Sequence, residues 1–167
     1  MVISHRHAFV STKLDYCNSL FYGLPDKDLR KLQAVQNAAA RLVGGLRRYD
    51  HVTPVMHDLH WLPVEYRIQF KIAVLAYKSL HNLAPEYLSA MCQPVSMSEA
   101  LRRNRSAVNG DLTLPSWNTV SYGQRGFTYA AAKIWNNLPL NIRQLQSLLT
   151  FRKHLKTFLF RKAYYGQ

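Results

Sequence analysis

Between Leu29 and Leu80 the apolar positions fall into two helix-period segments joined by a polar, basic and aromatic connector. In the first, Leu29, Leu32, Val35, Ala39, Leu42 and Val43 follow the i, i+3, i+4, i+7 spacing that gathers side chains on one helix face. Gly44 and Gly45 predict its end, because glycine accepts the left-handed conformation that closes a helix. The second segment opens at Pro63, whose missing N–H has no partner to lose in a first turn. Its stripe is Ile68, Ile72, Leu75, Ala76 and Leu80, widened by Phe70, Val74 and Tyr77, which predicts a helix packed on more than one side. The run Ala38-Ala39-Ala40 supplies a flat surface against which this helix is expected to lie. These segments form the expected centre of the fold.

The flanking chain is also helical in pattern. Ile3 to Gly23 predicts a first helix, with Val10, Leu14, Cys17 and Phe21 on one face, and Asp26 is expected to cap the next. Thr53-Pro54 opens a short helix over Val55 to Leu59, and Pro85 to Met91 predicts another. From Gln93 to Val120 no period is sustained, and the segment is expected to be a loosely attached loop with a short extended piece near Leu112, Leu114 and Trp117. Order returns over Gln124 to Trp135, with Phe127, Ala130, Ala131 and Ile134 on one side. Ser147 is expected to cap a last helix whose stripe is Phe151, Leu155, Phe158 and Leu159. The expectation is an all-α, irregular multi-helix bundle with a long basic loop between the central and C-terminal helices. Its expected parts are a helical core over 1–92, a linker over 93–121, and a basic helical segment over 122–167 packed on the same core.

Charge changes the picture. Among 167 residues, 22 Lys and Arg against 9 Asp and Glu leave a net charge of +13, which points to a polyanionic partner. No acid follows Asp111, so the last 56 residues carry eight basic side chains without counter-charge. The 48% hydrophobic content argues for a folded domain rather than a disordered tail. Cys17 and Cys92 are too few for a disulfide framework or a zinc site, and no apolar run reaches the length of a signal peptide or a membrane span. An intracellular protein, cytoplasmic or nuclear, with no membrane association is expected.

Catalytic chemistry is missing from the residues. His51, His57 and His60 are close in sequence, but no cysteine or standard ligand spacing accompanies them, so solvated or capping histidines are expected rather than a metal site. The acids are scattered, no phosphate-cradling glycine loop occurs, and no nucleophile motif is present. No catalytic residue, metal or cofactor is expected. The basic groups carry the signal instead. Arg41, Arg47 and Arg48 surround the Gly44-Gly45 helix end beside Tyr49, a set suited to holding phosphates while the ring stacks on a base or sugar. Arg102, Arg103 and Arg105 lie on the expected loop, and Lys153 and Lys156 on the outer face of the last helix. These nine residues form the candidate nucleic-acid-binding set.

Four blocks carry a resemblance: STKLDYCNSLFYGLP (Ser11 to Pro25), LQAVQNAAARLVGG (Leu32 to Gly45), YDHVTPVMHDLHWLPVEYRIQFKIAVLAYKSLHNLAPEYLS (Tyr49 to Ser89) and YGQRGFTYAAAKIWNNLPLNIRQLQSLLTFRKHLKTFLF (Tyr122 to Phe160). In this order they resemble the region after the polymerase core of jockey-like, LINE-type non-LTR retrotransposon reverse transcriptases. The resemblance implies a helical thumb and post-thumb region that grips a template–primer duplex. The family's paired-aspartate motif and its endonuclease domain are absent from this chain, so Met1 reads as an internal start in a truncated element. Ala132 stands where the family has proline, and Ser116 and Asn118 where basic residues are more usual. The expected function is therefore a non-catalytic, nucleic-acid-binding remnant, with an RNA–DNA hybrid or duplex as a sequence-nonspecific partner and the missing polymerase core as another. The alternatives are a co-opted protein-interaction domain and a reading frame with no selected function.

Overall fold

The computed structural model describes residues 12–97, 105–116 and 123–166. Its helices are α1 (Asp26–Gly44), α2 (Thr53–Asp58), α3 (Val64–Leu80), α4 (Glu86–Met91), α5 (Arg105–Val108), α6 (Phe127–Asn136), α7 (Leu140–Arg143) and α8 (Leu148–Tyr165). Short 3-10 turns cover Asn18–Phe21, Val95–Met97 and Gly123–Arg125. Among the described residues the only β pairing is one isolated antiparallel bridge, Pro94 to Leu112, so the fold is all-α. The described residues divide into two compact units, 12–68 with 157–166, and the described part of 69–156.

The first unit is built on α1. Gly45 takes φ 64°, and its N–H and that of Leu46 both bond the Arg41 carbonyl, which closes the helix where the paired glycines predict. A Cβ on Gly44 would lie 2.8 Å from Val55 Cγ1, so any side chain there would force Val55 of α2 to shift. The core joins Ala39 and Ala40 of α1 to Val52, Met56 and Trp61, with Leu46, Val55, Leu59 and Tyr164 packed around them. Within this unit the alanine surface carries α2 and Trp61.

The face of α1 is also rotated from its predicted stripe. Val35 and Leu42 are 55% and 73% exposed, whereas Gln36 is fully buried. Gln36 Nε2 donates to the Leu62 carbonyl at 2.8 Å, and Gln33 Oε1 accepts the Val64 N–H at 2.9 Å. Two amide side chains thus satisfy the backbone where the connector enters α3, and that requirement outweighs the burial of Val35. Asp26 occupies the first turn rather than the cap, which is Pro25, and makes no side-chain capping bond. Its charge still lies at the positive end of the helix dipole.

The predicted first helix ends before its pattern does. Residues 12–15 are helical, but Cys17 takes φ 50° and breaks the phase before the Asn18–Phe21 turn. Leu20 is consequently 78% exposed while Asn18 is buried. Residues 3–11 of that segment lie outside the described chain.

In the second unit α3 follows its predicted stripe. Ile72, Ala73, Val74, Ala76 and Tyr77 are all buried, which is burial on more than one side. The Tyr77 ring stacks on Phe151 at 4.3 Å between centroids, with Trp135 at 6.0 Å from the same ring. Tyr77 donates its hydroxyl to the Leu145 carbonyl at 2.9 Å, and burial pushes its pKa up. Phe151 and Leu155 of α8 have no exposure, and Ala130, Ala131, Ala132, Ile134 and Trp135 bury α6. α6 runs unbroken past Ala132 to Asn136, as its sequence predicts.

The irregular connection is tied down where it is described, against the loose attachment expected. Val95 N–H bonds the Asp111 carbonyl at 2.9 Å, and Thr113 N–H bonds the Gln93 carbonyl at 2.8 Å. The Asn136 amide pairs with both backbone groups of Leu112, at 2.8 and 2.9 Å, as a neighbouring strand would. Trp135 Nε1 donates to the Gly110 carbonyl at 3.0 Å, and Asp111 pairs with Arg143 at 2.5 Å. Leu112 is the extended position the alternation predicts; Trp117 lies outside the described residues.

Candidate nucleic-acid interface

After α1 closes, residues 47–50 form a tight turn. Arg47 donates its backbone N–H to Asp50 Oδ2 at 2.7 Å, and Asp50 returns its own N–H to the Arg47 carbonyl at 3.2 Å. The turn leaves Arg47 and Arg48 exposed, with Tyr49 at its tip 87% exposed. Arg48 Cζ lies 5.7 Å from the Tyr49 ring centroid, within cation–π range.

Beside the turn, within the first unit, is an open cleft of about 680 Å³. Gln33, Asn37 and Arg41 line it at i, i+4 and i+8 along α1, Arg48, Tyr49 and His51 line it from the connector, and Tyr164 closes it from the end of α8. Arg41 Nε is buried there and has no hydrogen-bond partner. Tyr164 donates its hydroxyl to the Trp61 carbonyl at 2.6 Å. Its pKa is pushed up to about 12, chiefly by burial, with the nearby Arg67 charge acting in the opposite direction.

Of the nine candidate residues, the cleft brings together Arg41, Arg48 and Tyr49, with Arg47 exposed on the same turn. Lys153 and Lys156 belong to the second unit, exposed on α8 with Arg152 on the same side of the helix. Arg105 is exposed at the start of α5, and Arg102 and Arg103 lie outside the described residues. The side chains of Arg47, Arg48, Arg152 and Lys156 enter no ion pair among the described residues.

His51 and His60 are exposed, as expected of solvated histidines, and His57 is half-buried. The His57 and His60 rings pack on Phe160, at 5.1 and 5.6 Å, and His57 Nε2 lies 2.7 Å from the Tyr165 hydroxyl. His51 lines the cleft. Among the described residues no three His, Cys, Asp or Glu side chains come together as a metal site would need, and no helix is long and apolar enough to cross a membrane.

Sequence reasoning missed Gln33 and Asn37, although their i, i+4, i+8 spacing with Arg41 is a signal that could have found them. It also missed Tyr164, which joins Trp61 across more than a hundred residues and carries no local signal. No protein-family model, curated protein or solved structure matches this chain.

Proposed function

We propose that this chain is a non-catalytic grip for nucleic-acid backbone, a remnant of a jockey-like, LINE-type retrotransposon reverse transcriptase that lacks the polymerase active site. The observation that carries the reading is the turn at 47–50, which projects two guanidinium groups and an exposed ring, with its one acid bonded back to backbone. Arginine forks suit phosphate oxygens, and an exposed ring offers a stacking platform for any base. The exposed cations of α8 give the other unit a basic face of its own. Phosphate contacts position a protein without reading sequence, so hybrid and duplex bind with little sequence preference.

A second reading, a protein-interaction domain, draws on the apolar outer face of α1, where Val35 and Leu42 are exposed. Fluorescence anisotropy with labelled RNA–DNA hybrids of unrelated sequence separates the two. The proposal expects similar affinities across sequences, together with no primer extension on an RNA template in magnesium. A folded protein that binds no hybrid at low salt overturns it and leaves the interaction domain.

A further inference from the structure

We propose that the cleft of the first unit is a nucleotide pocket: Arg41 and Arg48 take a phosphate, and Tyr49 takes the base. The inference deepens the polyanion reading and rests on it for the sign of the ligand's charge. It makes a separate claim, that one phosphorylated nucleoside is held in a concave site rather than phosphates being met along a surface.

Three observations converge on it. Arg41 Nε is a buried donor with no partner, although buried N–H groups in folded proteins are nearly always paired. No acid neutralises Arg41 or Arg48 among the described residues, and the Asp50 carboxylate in the same cleft is occupied at Oδ2 by the Arg47 backbone N–H. Arg41 lines the cleft, and a guanidinium is a strong partner for phosphate; a modest shift of its side chain would bring the unpartnered Nε to a ligand oxygen. At the rim, Tyr49 is 87% exposed despite its apolar ring, so a planar base gains contact area there. The opening of about 680 Å³ lies within the range of small-molecule sites, roughly 300–1,000 Å³. The Asn37 amide adds a polar group to the wall facing such a ligand's sugar or base edge, while the Gln33 amide beside it is held by Val64, Gln36 and Asn37.

The same chemistry could come from a free mononucleotide or from the phosphorylated end of a strand. Isothermal titration calorimetry of the full chain with AMP and adenosine tests the pocket, and thymidine octamers with and without a 5′-phosphate distinguish the sources. AMP is expected to bind at least about tenfold tighter than adenosine, as loss of a charge-assisted phosphate contact implies. Arg41→Gln should remove that difference, and Tyr49→Ala should weaken AMP by roughly 5- to 150-fold, the range for loss of one stacked base. Tighter binding of the phosphorylated octamer, lost in Arg41→Gln, assigns a strand end; AMP binding without that preference assigns a free nucleotide. Equal affinity for AMP and adenosine, or AMP binding unchanged by Tyr49→Ala, overturns the pocket. Tyr49 is exposed, so its variant keeps the fold if Arg41→Gln does not. A protein that binds hybrid but fails these tests loses only the pocket; one that binds AMP but no hybrid loses the backbone-grip reading.

Discussion

Replacing Gln36 by alanine tests which face of α1 is buried. The side chain is fully buried, donating to the Leu62 carbonyl at 2.8 Å and accepting from Gln33 Nε2 at 3.1 Å. Neither partner is orphaned by its loss. The Leu62 carbonyl keeps the Arg67 Nε donor at 2.9 Å, and Gln33 Nε2 keeps the Asn37 acceptor at 2.9 Å. The penalty is therefore the net value of two hydrogen bonds, about 1–2 kcal/mol, and not the larger cost of an unsatisfied buried group. A small cavity adds about 1 kcal/mol, giving about 2–3 kcal/mol in all. For a chain of this length that lowers Tm by roughly 5–10 °C. Val35→Ala, at a position 55% exposed, should change stability by less than about 0.5 kcal/mol. Urea denaturation followed by circular dichroism measures both. Val35→Ala costing more than Gln36→Ala would mean that α1 presents its Val35 face inward, refuting the amide-centred packing.

Asp111→Ala should cost about 2–3 kcal/mol, because it strands the Arg143 guanidinium, whose side chain is 7% exposed and whose Nε already lacks a partner. A loss below about 0.5 kcal/mol by denaturant titration would show that the connection is not anchored there. Alkaline pH should weaken the first unit through Tyr164. Its folded pKa of about 12 exceeds the ordinary value of 10, so its contribution is full below pH 10 and lost as pH rises through about 12. Because the hydroxyl is only half-buried, the loss should be about 1 kcal/mol, and Tyr164→Phe should abolish this part of the pH dependence. Equal pH profiles for the two proteins between pH 10 and 12 would contradict this.

What the sequence disclosed tracks the range of the interactions involved. α3 was legible because Ile68, Ile72, Ala76 and Tyr77 form a wide apolar run that one helix must bury. The end of α1 was legible because Gly44 and Gly45 act through local backbone geometry. The inward face of α1 was not, since Gln36 looks like a surface residue until the Leu62 carbonyl it satisfies is in place. The break at Cys17, with φ 50°, falls on a residue type that does not itself favour a left-handed conformation. The anchoring of Gly110, Asp111 and Leu112 depends on Trp135, Arg143 and Asn136, which lie 24 to 32 residues away and carry no local signal. In the candidate interface, Arg41, Arg48 and Tyr49 were found because charge clustering is local. The Tyr164 wall was missed because its partner is distant in sequence.

The central claim is that the exposed cations meet phosphates, and the salt dependence of duplex binding tests it most directly. If about five side chains neutralise phosphates, log affinity falls with log salt at a slope near −4.5. Arg47→Ala with Arg48→Ala removes two exposed guanidinium groups from the 47–50 turn and should flatten the slope by about one to two units, with helicity unchanged. Anisotropy titrations of the parent and the double variant across several salt concentrations supply both slopes. A steep parental slope that the double variant flattens is the predicted result. A parental slope near zero, or one that both proteins share, would contradict the account.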